Sequence, residues 1–212
     1  MFVDQEDVFF YLTVMNENYS HPDMPKGVED GVIKGLYRFK KTARPGKKHV
    51  NLMGSGTILL QAIKAAEMLK ADFGITSDIW SATSFNELAR DGQDALRENR
   101  MNPTAKKPRE AYVTQMLAAS KGPVVAVTDY MKNYADQIRA FVPNAFHVLG
   151  TDGYGRSDSR KALRRHFEVD AEHIAASAVY ALFQEKAVTA ADVKKAYEQY
   201  GIDPGKANPR TA

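Results

Sequence analysis

The chain has 212 residues, 44% of them hydrophobic and 26% charged, with a formal net charge of +3 and no cysteine. That length supports a sizeable core and reads as one domain with extensions, while the composition is that of a globular protein without an apolar run long enough to span a membrane. The missing cysteines exclude disulfides, thiolate nucleophiles and cysteine-held metal sites, and the small net charge argues against a dedicated nucleic-acid binder.

The opening MFVDQEDVFFYLTVM lacks a basic leader and a small-residue cleavage site, so the expected location is cytoplasmic. Within it, Val8 to Met15 has the aromatic and β-branched bias of a half-buried strand. The polar NENYSHPDMPKG then forms a long irregular connection of the kind that serves function or an interface. Gly31 to Phe39 alternates as an edge strand. The basic run KKTARPGKKH has no interleaved aromatics for stacking bases and reads as a solvated loop rather than a phosphate patch.

From His49 the rhythm is strand then helix. HVNLMG is a short buried strand, GSGT turns the chain, and the following stretch places Ile58, Ala62, Ala65, Ala66 and Leu69 on one helical face before a terminating glycine. Phe73 to Ser81 reads as a strand with a polar interruption. SFNELARDG opens a helix with Ser84 and Glu87 at capping-box spacing. Ala111 to Ala119 is a short helix or bent segment, and Val124 to Val127 a compact apolar strand. The next helix is capped by Thr128 or Asp129, with Tyr130, Tyr134 and Ile138 as its inner stripe. FHVLG is the last strand. Helices over Arg160 to Phe167, Ala171 to Glu185 and Thr189 to Tyr200 complete the chain. Short buried strands separated by helices predict an α/β fold of three layers, α/β/α, around a mostly parallel central sheet of about five strands. Residues 1–47 form the expected lead-in and residues 48–212 the α/β domain.

Two glycine-rich turns are the leading chemical candidates. Gly54, Ser55, Gly56 and Thr57 leave a strand and open a helix, a place that favours an anion, and Asp78 lies downstream as a potential acid. The dinucleotide fingerprint, however, wants a third glycine where Leu59 stands, and the P-loop lysine is missing, so a tight turn accounts for the stretch without a ligand. The second turn is LGTDGYGRSDSR. Its glycines, Gly150, Gly153 and Gly155, run G-x-x-G-x-G, and Ser157, Asp158 or Ser159 offers the cap of the next helix, with Ser157 or Asp158 as the expected start. Asp152, Arg156, Arg160, Arg164 and Arg165 give this stretch charge, and its spacing leaves open whether the arginines meet an anion or a carboxylate.

The remaining candidates read as structure. His21, His49, His147, His166 and His173 have no acidic or histidine partner at metal-ligand spacing, and no GxSxG elbow is present. Glu29–Asp30, Asp91–Asp94 and Asp152–Asp158 lie among turn formers, where acids cap or stay solvated. Trp80, the single tryptophan, reads as packing.

The segments DVFFYLTVMNENY, LMGSGTIL, SATSFNELARDGQD, VTDYMKNYADQIRAFVP and LGTDGYGRSDSRKALRRHFEVDA closely resemble the C-terminal part of the bacterial homodimeric pyruvate dehydrogenases, from Asp7 to the tail IDPGKANPR. The resemblance implies a transketolase C-terminal domain-like fold and a parent enzyme that decarboxylates pyruvate with thiamine diphosphate and magnesium. That parent acetylates the lipoyl group of the acetyltransferase component. The family's cofactor motif begins Gly-Asp-Gly and ends in paired asparagines; here EDG, RDG and TDG each lack the leading glycine. Its catalytic groups belong upstream, so the resemblance implies no catalytic, cofactor-binding or metal residue in this chain and no cofactor bound by it alone. Gly54, Ser55, Gly56, Asp152, Gly153, Gly155, Arg156 and Ser157 are then structural or interface loops. The implied partners are the other domains of the same enzyme, its dimer mate and the acetyltransferase component, with neither nucleic acid nor membrane. On this reading the chain supports the dimer and is inactive alone. An independent binding or assembly module that docks a partner subunit is the alternative. Arg156 is expected to meet a carboxylate within the domain or across the dimer.

Overall fold

The structure, a computed structural model, describes residues 2–10, 14–15 and 17–212. Five strands form one sheet: β1 (Leu36–Lys40), β2 (His49–Ser55), β3 (Thr76–Ala82), β4 (Val124–Val127) and β5 (Phe146–Leu149). Their spatial order is β1-β3-β2-β4-β5, with β1 antiparallel to β3 and the other three pairings parallel. β2 lies at the centre and is buried from His49 to Gly54, which is why HVNLMG shows no polar alternation apart from Asn51.

Strand periodicity divides the core between the two faces. Val50, Leu52, Val125 and Val127 face one cluster together with Ile58, Ala62, Ala65 and Leu69 of α2 (Ile58–Phe73) and the apolar side of α7 (Ala171–Gln184). Met53, Trp80, Val124 and Ala126 face the other, packed by Phe85 and Leu88 of α3 (Phe85–Met101) and Val113 and Leu117 of α4 (Tyr112–Leu117). The three-layer reading is therefore the observed architecture, and α8 (Ala190–Gln199) closes the first face through Val193 and Ala196.

Several elements differ from the sequence expectation, each for a local reason. Val8–Phe10 and Val14–Met15 form no strand, and Tyr11, Leu12 and Thr13 lie outside the described residues. Phe9 is 88% exposed and Phe10 72%; β propensity expresses a fit to a neighbouring pleated surface, and none is offered here. Gly31 to Phe39 splits into α1 (Glu29–Lys34) and β1. Acids open that helix and Gly35, left-handed at φ 97°, closes it. Phe73 ends α2 instead of starting a strand, because Gly74 caps that helix and β3 begins only at Thr76.

The helix expected from Thr128 is broken into α5 (Lys132–Asp136) and a 3₁₀ turn at Arg139–Phe141. Neither Thr128 nor Asp129 caps it: the helix begins after Met131, Tyr130 is exposed, and Ile138 alone of the expected stripe is fully buried. The expected capping of α3 is present, with Ser84 Oγ accepting from Glu87 N–H at 3.1 Å. The reciprocal box occurs instead on α8, between Thr189 and Asp192. In α6 (Arg160–His166) the cap is Ser159, which accepts from Ala162 N–H at 3.3 Å. Ser157 is exposed and Asp158 accepts from Ser159 N–H, so neither starts the helix.

Val125 is fully buried and carries the ladder between β2 and β5. Val125→Asp will unfold the domain, since an unpaired buried charge costs several kcal/mol, of the order of the whole stability. A variant that melts with the parent in a circular-dichroism scan would place that strand elsewhere.

Candidate functional site

In open parallel sheets, ligands gather beyond the carboxyl ends of the strands where the strand order reverses. Here β3 lies to one side of β2 and β4 to the other, so the reversal falls between β2 and β4. Gly54 and Ser55 end β2 here and Gly56 and Thr57 leave it, Thr128 to Met131 leaves β4, and Gly150 to Ser159 leaves β5. All the candidate loop residues read from the sequence are thus on one edge of the sheet.

They do not form one cavity. Gly56 and Thr57 line a small space of about 60 Å³ with Tyr19, Ser20, His21 and Pro22. Gly150 and Asp152 line a different one of about 250 Å³, shared with the C-terminal tail at Asn208, Pro209 and Arg210. The segment SHP therefore sits over the GSGT turn, and the tail sits over the TDG turn.

Each turn is closed on its own chain. A Cβ on Gly54 would lie 2.6 Å from Leu59 Cα, so the glycine lets the helix start press onto its strand. Gly56 adopts φ 56° with open space around it. In the second turn, Asp152 Oδ1 accepts from Lys132 N–H at 2.8 Å, Thr151 N–H donates to Tyr130 O at 2.8 Å, and Thr151 Oγ1 donates to Asp129 O at 2.6 Å. Asp152 thus satisfies an amide at the start of α5. Gly153, at φ 105°, is where the tail crosses, its absent Cβ lying 2.6 Å from Pro209 O. Beyond it the loop turns outward: Tyr154 is 88% exposed, and Gly155 has nothing near its Cβ position. Arg156 donates to the Ala212 oxygen of its own chain.

The N-terminal segment is tied to α6. Glu17 pairs with Arg160 at 2.8 Å and accepts from Tyr19 O–H at 2.7 Å, while the Arg164 guanidinium lies 5.8 Å from the Tyr19 ring centroid. The Tyr19 hydroxyl and the two arginines hold the Glu17 carboxyl below its ordinary value, although the carboxylate itself stays in solvent.

The histidines with carboxylate partners are structural. Asp170, the N-cap of α7, accepts from both the backbone N–H of His173 at 2.9 Å and its ring Nδ1 at 2.6 Å. Burial alone would raise the Asp170 carboxyl, but the His173 ring and backbone hydrogen bonds outweigh it and hold the carboxyl below its usual range. His49 stands 3.8 Å from Asp78, and burial keeps that imidazole neutral to lower pH than usual. The sequence search for metal-ligand spacing missed both pairs: one joins a helix cap to its own first turn, the other joins neighbouring strands. Asp78 itself pairs across from Asn51, four residues before the level of Ser55 and Ala82, roughly 13 Å from the GSGT turn. It serves Thr42 N–H and Arg38 at the other end of the sheet.

No group of three metal-ligating side chains occurs among the described residues. The diphosphate and magnesium implied for the parent family find no fit here, because the acid of the TDG turn is engaged by Lys132 and the GSGT turn is closed against Leu59.

Gly54→Ala will destabilise by more than about 2 kcal/mol, through a backbone clash, and Gly56→Ala by about 1 kcal/mol, through left-handed strain alone. Urea unfolding checks the order; equal costs would contradict the close approach of strand and helix. Asp170→Asn keeps a capping oxygen but loses the charge. The folded carboxyl titrates below its ordinary 3.8, so its contribution is full above that value and is lost as the pH falls through the folded pKa. The variant will lose about 1 kcal/mol at pH 7 and progressively less below pH 4; a cost that does not change with pH would remove the charge from the account.

Comparison with known proteins gives these features a family. Residues 35–170 match the family described as Transketolase-like TK C-terminal domain. The Pyruvate dehydrogenase E1 component of Cupriavidus necator is 50% identical over 210 residues, 99% of this chain and 23% of that protein. The corresponding protein of Pseudomonas aeruginosa is 51% identical over 210 residues, covering 99% of this chain and 24% of its own length. A solved transketolase mutant from Pichia stipitis shares the fold at a TM-score of 0.51 and 15% identity, over 80% of this chain and 22% of that one. The chain thus spans less than a quarter of the curated relatives it matches. With its mostly parallel sheet, its flanking helices and a match over residues 35–170, the chain belongs to the transketolase-like C-terminal domain family.

Proposed function

We propose that this chain acts as the C-terminal domain of a pyruvate dehydrogenase first component, contributing structure to the dimer and no catalytic group. The observation that carries the reading is the pair of coverages, 99% of this chain against 23% of its Cupriavidus relative, at 50% identity. In that role the GSGT and TDG turns are scaffolding. The TDG turn is satisfied by its own chain, the GSGT turn is packed against Leu59 but leaves the buried Thr57 Oγ1 without a hydrogen-bond partner among the described residues, and the outward stretch Tyr154 to Ser157 is the exposed part that can meet another domain or the dimer mate.

In the proposed division of labour, the upstream domains hold thiamine diphosphate and magnesium, which supply the decarboxylation of pyruvate, and the acetyl group passes to the lipoyl group of the acetyltransferase component. This chain supplies position. Residues 1–47 lead into the unit of residues 48–212, docked to it by β1 at the sheet edge and by the Glu17–Arg160 pair. No helix among the described residues is long and apolar enough to cross a membrane, and a cytoplasmic location fits the role.

A second reading, an independent module that docks a partner subunit, is favoured by the exposed Phe9 and Phe10 of the lead-in. The two are separable. On the first reading the chain alone shows no thiamine diphosphate binding by calorimetry and no carbon dioxide release from pyruvate, and it restores activity when mixed with a chain carrying the upstream domains. Turnover by the chain alone would overturn it. Capture of the acetyltransferase component at micromolar concentration by this chain, without the upstream domains, would favour the second.

A further inference from the structure

A feature at the opposite end of the sheet is absorbed by neither reading. The loop of residues 41–48 leaves edge strand β1 and enters β2, and it is fixed where it crosses the start of β3. Thr42 N–H donates to Asp78 Oδ1 at 2.8 Å, Thr42 Oγ1 donates to Ser77 O at 2.6 Å, and Gly46 N–H donates to Thr76 Oγ1 at 3.0 Å. So held, the loop arches beside the later turns of α2 and borders an open cleft of about 520 Å³. Its apolar wall is Ile63, Ala66 and Ile79; Lys40, Lys41, Arg44 and Lys70 also line it, against one acid, Glu67.

Those four cations, all exposed at the rim, have no ion pair with any described residue, whereas Arg38, Lys64, Arg109, Arg139 and Arg165 each have at least one. Gathering unpaired like charges around the rim of a concave, partly apolar space raises the local potential there and favours an anion, most at low ionic strength. The volume is that of a small-molecule site, and phosphate or carboxylate groups are what lysine and arginine donors recognise. No aromatic side chain among the described residues lines the space, so they provide no stacking platform of the kind a single-stranded nucleic-acid groove uses.

We propose that this cleft binds a small organic polyanion: two or more phosphates or carboxylates on an apolar body, the charges at Lys40, Lys41, Arg44 and Lys70 and the body against Ile63, Ala66 and Ile79. The site goes beyond the structural role proposed above and stands whether or not that role holds, because it lies at the opposite end of the sheet from the GSGT and TDG turns on which that role rests.

Calorimetry at low ionic strength on the 212-residue chain, and on a Lys41→Ala/Arg44→Ala variant checked for native circular dichroism, tests it. The probes are ATP, benzene-1,2,4-tricarboxylate, tripolyphosphate and a decamer of glutamate. ATP or the tricarboxylate will bind saturably at about 0.1 mM or better, whichever binds naming the anion, and the double variant will lose at least about tenfold. Tripolyphosphate, which leaves the apolar wall uncovered, will bind more weakly than ATP if phosphate is the anion. No heat from either organic probe at about 1 mM, or unchanged affinity in the variant, overturns the proposal. So does tighter binding of the glutamate decamer, which would make the face a docking surface for an acidic chain.

Discussion

The side chain of Asn51 is the hinge of the architecture. It is wholly buried in the central strand, yet both ends of its amide are used: Nδ2–H donates to Lys121 O at 2.9 Å, and Oδ1 accepts from Trp80 Nε1–H at 3.0 Å. Lys121 lies on the lead-in to β4 and Trp80 on β3, so a single residue fastens β2 to both parallel neighbours. Trp80 in turn lies beneath the Arg38 guanidinium of β1, 4.5 Å from its ring centroid. A strand buried on both faces has little else to fix its register, because apolar residues fit either side. A slip of one residue would strand Asn51 and the indole N–H without partners, at about 1 to 3 kcal/mol for each buried group.

From that fastening the two ends of the sheet take different characters. The end where β2 and β3 begin holds a buried polar network: His49 against Thr76 and Asp78, and Asp78 against Thr42 and Arg38. These contacts place the basic loop and give its cleft a fixed shape. The carboxyl end, where α/β proteins usually hold their ligands, is occupied by two turns, of which the TDG turn consumes its own hydrogen-bonding groups, and by two chain segments folded over them. A domain arranged this way supplies a rigid edge to its neighbours more readily than a reaction centre, which is the physical content of the structural role proposed for it.

The legible part of the sequence was the part whose signals are local. Val124 to Val127, the face of α2, and Ser84 at the start of α3 carry their structure in period and cap alone. The family was legible from its long words, and the comparisons agree with that resemblance. What escaped depends on distant partners. VFFYLTVM has the composition of a strand, but no neighbouring strand pairs with its described residues. GVIK alternates but is helical, since Gly31 is buried where a Cβ would meet Leu36 O at 2.9 Å and Gly35 forces the chain to turn. The Asn51 bridge joins residues 29 and 70 positions apart, which no spacing rule reaches. For the candidate loops, the GSGT stretch read as a turn divides between the end of β2 and the start of α2, and the sequence could not show that the two loops open into separate cavities or that Ser159 caps α6.

The fastening of the sheet through Asn51 is most directly tested by a double-mutant cycle, Asn51→Ala with Trp80→Phe, read by urea unfolding. The account predicts a coupling of about 1 kcal/mol or more, because either substitution alone already breaks the shared hydrogen bond and leaves a buried partner unsatisfied. Costs that add to within about 0.3 kcal/mol would contradict it and would return the register of the sheet to packing alone.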